Sequence, residues 1–149
     1  MRPTSHTARS ILEFFYAAER AFFAAAPEDK NFTSIASVLS EDVVLNQTSG
    51  LPCAELYMGP QGFLQFGQDM SEYVDGIDLQ KPEFFESHDP TRIVSVGELH
   101  IRARKTDEEF VFPMSQLVTV DLDAGVITSI LPFHWDVYAL NKAIGYTPE

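Results

Sequence analysis

The sequence predicts an α+β domain in which helices pack on one side of a curved antiparallel sheet and close it into a cone-shaped barrel around a pocket. Three observations predict it. A helical period runs through the first 26 residues, a period of two takes over after Ile77, and a short helical period returns at the end. Four strand-length segments in a row, joined by short turn-rich links, are antiparallel neighbours. Helices segregated to one face of such a sheet make an α+β fold.

The long first helix spans Thr7 to Ala26, with Ile11, Phe15, Ala18 and Phe22 on one stripe, widened by Leu12, Glu19 and Phe23. Pro27 and the polar run Glu28-Asp29-Lys30 stop it. Asn31 is placed to cap a second, short helix that carries Phe32, Ile35, Val38 and Leu39 towards the core. Ser40-Glu41-Asp42 reads as a turn, and a strand begins at Val43. After an irregular stretch from Thr48 to Met58, Gly59-Pro60 opens a third helix, with proline where no N–H is needed. Phe63, Phe66 and Met70 give it an apolar side. Strands follow at about 79–88, 92–105, 109–121 and 125–135. His88-Asp89-Pro90-Thr91, Thr106-Asp107-Glu108 and Asp121 to Gly125 connect them. A short C-terminal helix from Asp136 to Ile144 ends at Gly145.

A chain of 149 residues suits one domain, 1–149, and 45% hydrophobic with 21% charged residues is the balance of a globular protein. Twenty-two acids against ten bases give a net charge of −12, which repels phosphate backbones and anionic lipids. The one basic cluster, Arg102, Arg104 and Lys105, is too small to reverse that, so neither nucleic acid nor membrane is an expected partner. The single Cys53 permits no internal disulfide and reads as a half-buried loop side chain. Arg2 and Arg9 fall in an acid-free first dozen residues, as in a transit peptide. Glu13 and Glu19 then interrupt the apolar stretch, so an amphipathic helix and a cytoplasmic location are the expectation. His6, His88, His100 and His134 show no ligand spacing, and there is no phosphate-cradling glycine loop or nucleophile motif. No metal and no cofactor is expected.

Three stretches resemble a known family. Leu39-Ser-Glu-Asp-Val-Val-Leu-Asn-Gln47 is similar to its helix-to-strand passage, and Gly59-Pro-Gln-Gly62 to the opening of its third helix. Asp123-Ala-Gly-Val-Ile127 with His134-Trp-Asp-Val-Tyr-Ala-Leu-Asn-Lys-Ala-Ile-Gly145 resembles its last hairpin and terminal helix. The family is the SnoaL-like polyketide cyclases and ketosteroid isomerases of the nuclear transport factor 2-like superfamily. The resemblance implies a pocket for a small organic molecule, cofactor-free acid–base chemistry in many members, binding or assembly roles in others, and a homodimer paired through the sheet. By the same resemblance the isomerase base falls on Gln47 and its acid on Leu117. Neither side chain does that work, so the steroid isomerase mechanism does not carry over. Limonene epoxide hydrolases resemble the strand around Glu98 and His100, with different residue types there.

The candidate chemistry then rests on single residues. Glu98, His100, Arg102 and Arg104 share one face of a strand, and Leu99, Ile101 and Ala103 the other. If the polar face is inward, Glu98 orients His100 for proton transfer; if outward, it meets solvent or a partner copy. His134 and Trp135 compete for the inward place at the end of the last strand, because a one-residue slip exchanges the faces. Tyr16 and Gln47 are placed to hold a substrate oxygen, or, on the plainer reading, to pack beside the core and to tie down the following loop. Glu19 interrupts the apolar stripe; if buried it has a raised pKa and could act as an acid, and the plainer reading, which is preferred, is a solvated edge position. Phe63 and Met114 supply apolar lining. The expected function is cofactor-independent isomerisation, cyclisation or elimination on an apolar carbonyl metabolite, with His100, His134 and Glu98 as catalytic residues and Tyr16, Gln47, Phe63, Met114 and Trp135 contacting substrate. The alternative is a non-catalytic binding or dimeric assembly protein.

Overall fold

The computed structural model describes residues 6–148, so Arg2 lies outside it. Helix α1 (Ala8–Ala24) starts where the side chain of Thr7 accepts from the backbone N–H of Ser10 and the Ser10 hydroxyl oxygen accepts from that of Thr7, at 3.0 and 2.9 Å. It buries Ile11, Leu12, Phe15 and Tyr16. Its last carbonyls, of Phe22 and Phe23, accept from Lys30 Nζ. The second helix is a single turn, α2 (Thr33–Ala36), and Asn31 Oδ1 accepts from the Thr33 N–H at its start.

Strand β1 (Leu39–Asn46) absorbs what read as the end of that helix and a turn, so Val38 and Leu39 reach the core from the strand entry. A short strand the sequence did not announce, β2 (Leu56–Met58), pairs with it. Helix α3 (Gly59–Met70) follows directly, then the meander β3 (Val74–Glu86), β4 (Arg92–Ala103), β5 (Glu109–Asp121) and β6 (Val126–His134). The chain closes with α4 (Val137–Ile144), capped by the Asp136 carboxylate and by Gly145 at φ +75°.

The sheet runs β2-β1-β6-β5-β4-β3 and is curved but unclosed. Every neighbouring pair is antiparallel except β1 and β6, which are parallel, so the sheet is mixed rather than purely antiparallel. Short links dictate the pairing of consecutive strands only. The partner of β1 lies across most of the chain, where a parallel pair is free to form. Irregular register in β3 between Gln80 and Glu83, with Lys81 at φ +52°, and at the far end of the β5–β6 pair bends the strands and helps curve the sheet.

Two apolar clusters share the concave side. One packs α1 on β1, β5 and β6 through Ile11, Leu12, Phe15, Val118, Ile127 and Ile130. The other joins α4 and the end of α3 to β3–β5 through Met70, Leu99, Ile101, Met114, Leu140 and Ile144. Phe66, Leu79 and Cys53 touch both, and the pocket opens where the two meet.

Two glycines separate backbone freedom from close packing. A Cβ on Gly97 would stand 2.9 Å from the Gln80 carbonyl oxygen and from a Leu79 methyl, whereas one on Gly67, inside α3, meets nothing within 4 Å. Gly67→Ala is expected to stabilise the fold by about 0.5–1 kcal/mol, and Gly97→Ala to destabilise it by about 1–3 kcal/mol. Denaturant titrations of the two variants check both signs.

Candidate functional site

The pocket is a funnel between α1, α3, α4 and the concave sheet face. Its interior measures about 110 Å3, and about 1000 Å3 when the open mouth is counted. Its walls are mostly apolar, with Phe15, Phe63, Phe66, Met70, Leu99 and Met114 among them. The polar residues reaching it are Tyr16, Glu19, Arg20, Gln47, Asp78, Gln116 and His134.

Strand parity decides which candidates face the lumen. On β4 the inward set is Leu99 and Ile101. Glu98 and His100 lie on the convex face, paired across the sheet with Gln80, Asp78, Pro113 and Val111. Glu98 Oε1 does meet His100 Nε2, at 3.2 Å, and Lys81 Nζ stands 3.8 Å from the same oxygen. The pairing expected from the sequence is present, but across the sheet from the funnel. The reason is that a strand covering a core turns its apolar set inward. Trp135 is likewise outside, 80% exposed, so the choice at the end of β6 resolves to His134.

Tyr16, Gln47, Phe63 and Met114 all reach the funnel. Gln47 is buried, with its amide nitrogen 3.5 Å from the Pro52 carbonyl and its oxygen accepting from the Thr48 N–H at 3.1 Å, so it ties down the following loop. Tyr16 is bound on both sides. Its hydroxyl donates to Gln116 Oε1 at 2.5 Å and lies 2.6 Å from Ser95 Oγ, which is fully buried. Since the one phenolic proton goes to Gln116, Ser95 donates to the Tyr16 oxygen. Burial holds the Tyr16 phenol far above its ordinary pKa, with Ser95 pulling against that shift and Glu19 adding to it. The proton Tyr16 was expected to offer a carbonyl is therefore engaged. The free donor is the next group in the chain, the Gln116 amide NH2, which has no partner among the described residues.

His134 is fixed by the loop after β1. The Thr48 hydroxyl donates to the Pro132 carbonyl at 2.9 Å and meets His134 Nδ1 at 2.8 Å. Its proton is committed to Pro132, so its oxygen accepts from an Nδ1–H, and Nε2 is left bare with no partner among the described residues. Burial lowers the imidazole pKa from 6.5 to about 4, keeping it neutral. Glu19, one turn beyond Tyr16, makes no hydrogen bond or ion pair among the described residues. Burial, and secondarily the Asp78 carboxylate, raise it to about 8. Arg20 is turned to Asp78 Oδ1 and the Leu79 carbonyl, both at 3.3 Å, and leaves Glu19 unneutralised.

Gln116, which the sequence reading did not name, and Glu19, which it read as an acid only if buried, complete the lumen. Parity with Met114, already placed inward, is the signal that finds Gln116. For Cys53, burial pushes the half-buried thiol pKa up, against nucleophilic use. No group of three His, Cys, Asp or Glu side chains gathers for a metal among the described residues.

No family model and no curated protein matches the chain. Solved structures do. A nuclear transport factor 2-like protein of Burkholderia xenovorans LB400 is 24% identical, with 93% of this chain covered, 98% of that one, and a TM-score of 0.72. One of unknown function from Burkholderia pseudomallei K96243 is 16% identical, with 92% and 96% covered and a TM-score of 0.76. TerC, co-crystallised with polyporic acid, is 19% identical, with 93% and 98% covered and a TM-score of 0.76. Other similar structures are named, provisionally, polyketide cyclases, one of them, from Shewanella denitrificans OS-217, a SnoaL-like one. By its helices, its open curved sheet and these likenesses, the chain has the nuclear transport factor 2-like fold that the SnoaL-like proteins share.

Proposed function

We propose that this chain is a cofactor-independent enzyme that moves a proton on an apolar carbonyl compound, as in an isomerisation, cyclisation or elimination. The observation that carries the reading is one apolar funnel holding a bare neutral imidazole nitrogen and a carboxyl kept protonated by burial. His134 Nε2 takes a proton from the substrate. The Gln116 amide donates to the carbonyl oxygen as negative charge grows there, and the Glu19 O–H gives a proton to the product; His134 then releases its proton to solvent and Glu19 takes one back, which resets both groups. Apolar walls exclude water and strengthen these few dipoles. His134 and Glu19 thus take the acid–base places, and Glu98 and His100 leave them. The co-crystallisation of TerC with polyporic acid supports a pocket for an organic molecule.

The convex face supports a pairing of two copies through the sheet. Val96, Ser115 and Phe133 form one row across β4–β6, with Val96 41% and Phe133 51% exposed, and Val111 joins them beside His100. A cytoplasmic location belongs to the same reading. No helix among the described residues is long and apolar enough to cross a membrane.

On a substrate found by screening carbonyl compounds, His134→Ala is expected to lower kcat by about 10²–10⁴-fold and His100→Ala to leave it unchanged. Equal effects, or full activity in His134→Ala, would sink the assignment. The rate should be flat between about pH 4 and about pH 8 and fall outside that range, because the base must be neutral and the acid protonated. Glu19→Gln should remove the alkaline limb.

Stability offers a check that needs no substrate. The Glu19 carboxyl holds its proton to about pH 8 when folded against 4.5 for the ordinary group. Its stabilising contribution is full below the lower value and is lost as pH rises through the higher. The gain in Tm of Glu19→Gln over the parent should therefore be larger at about pH 9 than at about pH 5. Sedimentation of Val96→Asp and Phe133→Asp tests the pairing, with monomers expected from a dimeric parent.

A further inference from the structure

We infer that the funnel takes an uncharged, single-ring carbonyl compound that also carries a hydrogen-bond donor, with its carbonyl oxygen on the Gln116 amide and its donor on His134 Nε2. This rests on the reading of the funnel as the functional site, and it names the ligand rather than the reaction.

Size comes first. An apolar cavity of about 150 Å3 accepts benzene. The interior here, about 110 Å3 and open at its mouth, is of the same order, which suits one ring whose substituents extend towards the mouth. Chemistry comes second. The Thr48 hydroxyl can give only one proton, and the Pro132 carbonyl takes it, so the imidazole is pinned as the Nδ1–H tautomer and offers the lumen an acceptor. The Gln116 amide is pinned at its oxygen by the Tyr16 hydroxyl and offers a donor.

The spacing is third. Gln116 stands opposite Pro132, and His134 opposite Met114, all on the inward face. Gln116 and His134 are thus diagonal neighbours on adjacent strands, about 7–8 Å apart at the backbone. A single ring substituted at both ends bridges such a pair. Charge is the last term. Among the described residues the one cation lining the funnel, Arg20, is held by Asp78 and the Leu79 carbonyl, and the lining acids are Glu19 and Asp78. An anionic ligand would find no free cation and two carboxyl groups. Burial that keeps His134 neutral and Glu19 protonated agrees with an uncharged guest.

The test is nitrogen NMR on the full chain labelled with 15N-histidine, titrated with three matched probes. In the free protein His134 is expected as the Nδ1–H tautomer. Thr48→Val should abolish that preference and Thr48→Ser retain it. With 4-hydroxyacetophenone the Nε2 resonance should move saturably as the lone pair accepts the phenol. Acetophenone, which lacks the donor, should bind about tenfold more weakly, the loss of one neutral hydrogen bond. 4-Hydroxybenzoate should not saturate. An Nε2–H tautomer in the free protein overturns the inference. So does equal binding of the benzoate, equal binding of acetophenone, or no saturation by 4-hydroxyacetophenone. Binding as expected with no compound of this class ever turned over would leave the ligand assignment standing and remove the proposed reaction. Turnover of an anionic or polycyclic compound would do the reverse.

Discussion

The buried chain from Ser95 through Tyr16 to Gln116 is the contact on which the rest of the funnel depends. It links β4, α1 and β5, and each hydroxyl in it has a partner inside a site where an unmade hydrogen bond costs about 1–3 kcal/mol. Apolar packing of Phe15, Ile11 and Leu12 holds α1 on the sheet, but that attraction has no direction and does not by itself fix the roll of the helix about its axis. The directional bonds at Tyr16 fix that roll. With Tyr16 fixed, Glu19, one turn along, is placed in the lining of the lumen. The same bond that locks the helix also orients the Gln116 amide, so one constraint sets both an acid and a donor.

His134 is set by a separate lock at the other side of the lumen. The loop after β1 is tied down by the Gln47 amide and by Asn141 Nδ2 on the Gly50 carbonyl at 2.7 Å. That loop brings Thr48 between the Pro132 carbonyl and the imidazole. A residue that read as a substrate contact is therefore better understood as part of what places Thr48. The division of labour follows from proton counting: groups whose polar atoms are all engaged hold the frame, and the atoms left over face the ligand.

This explains how far the sequence could be read. The cone of helices on sheet was legible because the periods of α1, α3 and β3–β6 and the caps at Thr7, Asp136 and Gly145 all agree. The faces of β4 were legible as sets, Leu99 with Ile101 against Glu98 with His100, while which set faces the core stayed open, because alternation alone does not say on which side the core lies. The last strand failed for a different reason. Thr119 pairs with Ser129 but Val120 with Ile127, so β6 carries one extra residue at Thr128. Beyond that bulge the alternation is reset, and counts from the two ends of β6 disagree over His134 and Trp135. On β5 the resemblance pointed to Leu117, which pairs outward with Val94 and Leu131, one residue from the inward Gln116. Local periodicity contains neither the bulge nor the hydrogen bonds of Tyr16, because both are made by residues far apart in the chain.

The acid and the base owe their character to one cause acting on opposite charges. Desolvation penalises whichever form is ionised, so the same apolar walls raise Glu19 to about 8 and lower His134 to about 4. A pair with ordinary values would sit in the reverse order, carboxylate ionised and imidazole half protonated near neutrality. Burial inverts that order and leaves an acid with its proton and a base without one, at a pH where both are needed. No residue with special chemistry is required for this, only a carboxyl and an imidazole without a charged partner in one mostly apolar funnel. That is why Arg20 matters through where it points: were it turned from Asp78 onto Glu19, the carboxyl would ionise and the acid would be lost.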